Sequence, residues 1–198
     1  MRSKTAILTM LALAAAAAPV VAQGTGHAMG GGAMATPGTV MVGGQAMLPT
    51  RDIVDNAVNS ADHTTLVAAV KAADLVATLK GRGPFTVFAP VNDAFENLPE
   101  GAVASLLRPE NKPALTKVLT YHVVPGRYTA ADLTRMIRTG HGTATLRTAS
   151  GGTLTAMMNG AGNVVIRDEK GGVASISTYD VMQSNGVIHV VNRVLMPR

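Results

Sequence analysis

Apolar residues in the first half of the chain recur three and four positions apart. Ile53, Val54 and Val58 form one such set. Leu66, Val67 and Val70 form a second, and Leu75, Val76 and Leu79 a third. This period predicts amphipathic helices between Thr50 and Lys80. Asp52 and Asp62 stand where N-caps belong, and Lys80-Gly81 supplies a stop. "GPFTVFAP", Gly83 to Pro90, breaks the period and is apolar on both faces, which predicts a buried strand. Asn92 is placed to cap a short helix over Asp93 to Asn97 that ends at Pro99, and Ala102 to Leu107 is another helical turn or two. Pro113 opens a helix whose one face carries Leu115, Val118, Leu119 and His122, and "VVPG" ends it. Thr129 to Asp132 resembles a capping box for a helix with Leu133, Met136 and Ile137 as its inner stripe.

Beyond Gly140 the period falls to two. Strands are predicted at Thr143 to Thr148, Thr153 to Met158, Val164 to Arg167, Val173 to Tyr179 and Val187 to Met196. The segments "SGG", "NGAGN", "DEKGG" and "QSNG" turn the chain between them. Helices followed by a strand meander argue for an α+β fold, with the helices packed against an antiparallel sheet.

The front of the chain is different. Arg2 and Lys4 precede an apolar run from Thr5 to Ala18, and Val20-Val21-Ala22 offers a cleavage site. That is the pattern of a secretory signal peptide over residues 1–22, too short for a membrane span. Residues 23–49 are rich in Gly, Met and Ala and carry no charge up to Leu48, so a flexible tether is expected, with the domain over 50–198. Without any Cys there is no disulfide, no thiolate chemistry and no lipid anchor. The formal charge of +5 falls to +3 once Arg2 and Lys4 are set aside, and the bases are interspersed with acids. With no basic run and no Trp, nucleic-acid binding is excluded.

The chain carries no GxSxG, HExxH, P-loop or GxGxxG, and no two His lie within five residues of each other. No catalytic residue, metal site or cofactor is expected. Asp168-Glu169 sits with Lys170 in a Gly-flanked turn and reads as solvated. Two alternatives stay open. One is a hydrolase centred on His122 or His189 with an Asp and Ser105, Ser150, Ser175 or Ser177. His27, Met29, Met34, Met41 and Met47 are soft ligands suited to Cu(I), although their spacing follows no ligand period. In "LTYHVVPG", Leu119 to Gly126, the helical face points His122 inward. Tyr121 lies off that stripe, so it is expected to reach a surface or a neighbouring strand and is the candidate contact residue.

Three segments, "FTVFAPVNDAF" (Phe85 to Phe95), "LTYHVVPG" and "NGVIHVVNRVLMP" (Asn185 to Pro197), resemble in order and separation the motifs of a fasciclin-type domain. "DIVDNAV" and "TTLVAAVKAADLVATLKGRG" resemble its first helices, so the likeness covers Thr50 to Arg198. It implies a wedge of β-strands with helices around it, and a non-enzymatic adhesion module. The partners implied are a cell-surface or matrix protein or a polysaccharide. Small bacterial members of this kind are secreted or periplasmic, and a monomer is expected. Tyr121 and His122 match the family's Tyr-His position, which in animal members is linked to integrin contact. Val91 departs from the family pattern, which has Thr there, and leaves capping of the next helix to Asn92.

Overall fold

The computed structural model describes residues 38–160 and 162–198. The predicted signal peptide and residues 23–37 of the predicted tether lie outside them.

The described chain begins with a hairpin, β1 (Val40–Val42) and β2 (Gln45–Met47). Gly43 and Gly44 form its two-residue loop, both at positive φ (57° and 73°), as a type I′ turn requires. Val42 and Met47 are buried in the core. The expectation of a tether up to residue 49 is corrected here. "VMVGGQAM" carries a hairpin signal, a Gly-Gly turn flanked by alternating residues, which the Gly-rich composition around it conceals.

Short helices follow: α1 (Ile53–Ala57), α2 (Thr64–Ala72) after a 3-10 turn at Ala61–His63, and α3 (Val76–Leu79). Asp52 caps α1 as predicted, accepting from the Asp55 amide at 2.8 Å. Asp62 caps nothing. β3 (Phe85–Pro90) leads into α4 (Asn92–Glu96), α5 (Ala102–Leu106) and α6 (Lys112–Tyr121). β4 (Val123–Pro125) and α7 (Ala130–Thr139) come next. The predicted capping box is present, with the Thr129 hydroxyl accepting from the Asp132 amide and Asp132 accepting from the Thr129 amide.

The meander is β5 (Thr143–Arg147), β6 (Thr153–Asn159), β7 (Asn163–Arg167), β8 (Val173–Gln183) and β9 (Gly186–Val191). With β3 and β4 it makes one sheet in the order β4-β3-β9-β8-β7-β6-β5. All its pairs are antiparallel except β3 with β9, which run parallel from Phe85↔Gly186 to Pro90↔Val191. The fold is α+β, and this one parallel pair refines the predicted antiparallel sheet. β3 and β9 are interior strands buried on both faces, which explains their continuous apolar runs.

Alternation along β3 divides the interior. Val87 and Ala89 join the core under the helices, with Ile53, Leu66, Leu115 and Ile188. Phe88 joins the second core inside the meander, with Leu133 and Ile137 of α7, Leu154, Ile166 and Leu195. The Tyr-His pair sits at the end of α6, beside β3, where these two cores adjoin.

Candidate functional site

α6 ends at Tyr121, and His122 occupies its C-cap position. The His122 ring is turned inward, as the helical stripe predicts, and is 3% exposed. Its Nε2 accepts from the Leu195 amide at 2.9 Å, so that nitrogen carries no proton. Nδ1 therefore holds the proton and donates to the Val118 carbonyl at 2.8 Å. The His122 carbonyl accepts from the Phe88 amide at 2.9 Å. Burial pushes the ring's pKa down to about 4, against the opposing pull of the Val118 bond and the Asp168 charge. The ring is neutral at physiological pH.

Tyr121 is fully buried, so of the two places open to it, a surface or a neighbouring strand, it takes the strand, and its reading as a surface contact is corrected. The helix period alone placed it off the stripe, but the β6–β8 region folds back over that side of α6. The Tyr121 hydroxyl donates to the Thr153 carbonyl at 2.7 Å and accepts from the Glu169 amide at 3.0 Å. Burial is the main cause pushing its pKa up to about 12, so it remains a donor. The ring lies against Gly152, where an added Cβ would come within 2.8 Å of Cε2.

Asp168 and Glu169 do not form a solvated turn. Asp168 is buried. Its Oδ1 accepts from the Lys170 and Gly172 amides at 3.0 and 2.7 Å, and its Oδ2 accepts from the Met196 amide at 3.0 Å. Any Cβ on Gly172 would stand 2.7 Å from that Oδ2. Glu169 accepts from the Thr153 amide at 2.9 Å and the Arg198 amide at 3.3 Å, and these bonds hold its carboxyl below the usual range. The Glu169 carbonyl accepts from Arg198 Nε, and Lys117 donates to the Arg198 carbonyl. The turn chemistry of Asp-Glu-Lys-Gly-Gly was visible in the sequence. That the last residues of the chain return to cover it was not.

Tyr121-His122 is thus a junction. It fastens β3, the β5–β6 and β7–β8 turns and the C-terminal segment Val194–Arg198 to the end of α6. Every polar atom of the two side chains is bonded to main chain, and neither ring faces solvent.

The other histidines behave similarly. His189 is fully buried, stacked on Phe88 with centroids 5.7 Å apart and edge-on to Tyr179. Its Nε2 donates to the Tyr128 carbonyl at 2.8 Å, and its Nδ1 accepts a long bond from the Asp180 amide. Burial lowers its pKa. Asp180 stands at an irregularity of β8 with φ of 53°, and its carboxylate accepts from the Ala130 amide at the start of α7. Among the described residues the partners of the His122 and His189 rings are all main chain, and neither ring is hydrogen-bonded to a Ser or a carboxylate as a His-centred hydrolase requires.

The described Ser–His bond is one that sequence reasoning missed, Ser60 with His63 Nδ1 at 2.9 Å. Both residues are buried, and His63 Nε2 has no partner and no orienting carboxylate. Burial lowers its pKa against the pull of Asp62 and the Ala89 backbone. Among the described residues no cluster of three or more His, Asp or Glu is placed to hold a metal ion. Of the five soft ligands considered for copper, His27, Met29 and Met34 lie outside the described residues. Met41 is exposed, whereas Met47 is a core residue. No described helix is long and apolar enough to cross a membrane.

The same architecture is found elsewhere. Residues 61–197 match the Fasciclin domain model, a span that contains the strand, Tyr-His and C-terminal segments joined above. Protein sll1483 of Synechocystis is 47% identical over 147 residues, which is 73% of each chain. Immunogenic protein MPB70 of Mycobacterium bovis is 33% identical over 196 residues, covering 95% of this chain and 91% of its own. In shape, the chain matches the FAS1 domain pair of the insect cell adhesion molecule Fasciclin I with a TM-score of 0.67 at 20% identity. That match covers 74% of this chain and about half (51%) of the insect one. A family model matched over more than half of the chain, through all three segments of the junction, is decisive: the chain belongs to the Fasciclin domain family.

Proposed function

We propose that the chain is a non-enzymatic binding module that works outside the cytoplasm as a monomer, contacting a protein or polysaccharide of a cell surface or matrix. The observation that carries this reading is the full occupation of the Tyr-His junction. The groups that looked most like chemistry are spent on main-chain hydrogen bonds, which leaves a rigid scaffold without a reaction centre. The insect neighbour is a cell adhesion molecule, which supports the same use. The contact surface lies away from Tyr121 and His122, since neither is accessible.

The test is retention of the full chain on immobilised cell-wall polysaccharide, matrix protein and intact cells. Saturable binding at micromolar concentration is expected. No retention on any of these surfaces overturns the proposal.

A further inference from the structure

A space of about 280 Å³ opens between α1, α2, α3 and the helix-facing side of β3. Ile53, Val54, Leu66, Val70, Leu79 and Val87 line it, all members of the core under the helices. Protein interiors pack with few voids larger than a water molecule, so a space of this size is unusual. A dry apolar cavity of roughly 150 Å³ admits benzene, and one nearly twice as large takes on the order of ten to twelve carbons.

Inside, the lining gives water little to hold. His122 borders the space, but both of its ring nitrogens are bonded to main chain. Thr120 also borders it, and its hydroxyl donates to the Thr116 carbonyl. A buried water needs two to four polar partners, and these residues offer at most the free lone pairs of the Thr120 hydroxyl. The lining therefore suits an apolar chain.

The rim is charged. Asp55, Lys71 and Lys80 line the space and are exposed. Lys80 is committed to Asp55 at 2.5 Å and to Asp52 at 3.5 Å. Lys71 has no ion-pair partner among the described residues. These charges balance, with two carboxylates sharing Lys80, so Lys71 is the cation at the opening that no carboxylate of the described residues engages, and Val58, 45% exposed, extends the apolar surface outward beside it.

We propose that this space binds a monocarboxylate with an apolar tail, a medium-chain fatty acid, with the tail among α1, α2, α3 and β3 and the carboxylate at Lys71. The site is independent of the surface contact proposed above.

Dodecanoate titrated into the full chain by calorimetry tests this, with dodecanol as the uncharged control. One saturable site of micromolar affinity is expected, with a rise in melting temperature as ligand accumulates. Val67 is half-buried on α2 and lines the space, so Val67→Phe fills it, and binding falls by about tenfold or more. Ala57→Phe makes the same test from α1 should Val67→Phe lose its native circular dichroism. Lys71→Ala weakens dodecanoate by roughly fivefold and leaves dodecanol unchanged. Absence of saturable dodecanoate binding overturns the proposal, as does binding indifferent to the filling variants. Equal loss of acid and alcohol in Lys71→Ala overturns the carboxylate assignment.

Discussion

Acidification should cost this fold stability in a window set by His122. The unfolded ring titrates near 6.5 and the buried one near 4. Between those values the unfolded chain binds a proton that the native ring refuses, so stability rises with pH there. The contribution is complete above pH 6.5, is lost as pH falls to about 4, and is constant below. At about 1.4 kcal/mol per pH unit, the gap amounts to roughly 3 kcal/mol. That is a substantial part of the 5–15 kcal/mol typical of a domain's whole stability.

His189 and His63 are shifted in the same direction and add to the slope. The depressed carboxyls of Asp55, Asp132 and Glu169 act at lower pH and do not overlap this window much. The variant that isolates His122 is His122→Gln, whose Oε1 can accept from the Leu195 amide but which does not titrate. Urea unfolding at half-unit intervals from pH 7.5 to 4 is the assay. The variant should lie within about 2 kcal/mol of the parent at pH 7.5 and lose about 3 kcal/mol less on acidification. An identical acid loss in both proteins refutes the assignment of a buried neutral His122 with this pKa.

Three other perturbations test the same geometry. Tyr121→Phe removes one hydroxyl and leaves both the Thr153 carbonyl and the Glu169 amide without it, so chemical denaturation should show a loss of about 2–3 kcal/mol; a loss below about 0.5 kcal/mol would show that water replaces it. Gly152→Ala drives a methyl to 2.8 Å from the Tyr121 ring and should destabilise by about 1–3 kcal/mol, read as a fall in melting temperature. Val91 is the N-cap of α4, extended and without a side-chain cap bond, so Val91→Thr should raise stability by about 0.5–1 kcal/mol in the same assay.

The value of Val91→Thr follows from a difference between sequence and structure. Asn92 was expected to cap α4 in the place of the missing Thr. It is instead the first residue of α4, and its Oδ1 accepts from the Thr65 amide near the start of α2 at 3.1 Å while its Nδ2 donates to the Ala61 carbonyl. A cap supplied by a distant residue leaves no local spacing to detect. Asp52 and the Thr129–Asp132 box were legible because each partner lies three residues away. The meander was legible because alternation survives wherever one face is buried, as in the exposed-buried pattern of β5. Tyr121 and Asp168 were not, because what covers them is separated from them by tens of residues. The 280 Å³ space was illegible for a related reason: Leu66, Val70 and Val87 have the periodicity of ordinary core residues whether or not the core they face is filled.

The energetics of the junction decide whether Tyr121 can serve as a contact in the folded chain. Uncovering it means lifting the β7–β8 turn and the C-terminal segment together, since each is bonded to the other through Asp168, Glu169 and Arg198. The bonds from Tyr121 to Thr153, from Glu169 to Tyr121, from Leu195 to His122 and from Thr153 to Glu169 are lost in that opening. At about 1 kcal/mol each, and with Leu195 leaving a buried site at a further 2 kcal/mol or so, opening costs on the order of 6 kcal/mol. That is comparable to unfolding a marginal domain, and it leaves roughly one molecule in ten thousand open. A ligand selecting the open form would lose the same factor in affinity. A partner that recognises the folded chain therefore engages surfaces outside the junction, and Tyr121 affects that partner only through the stability of the scaffold that presents them.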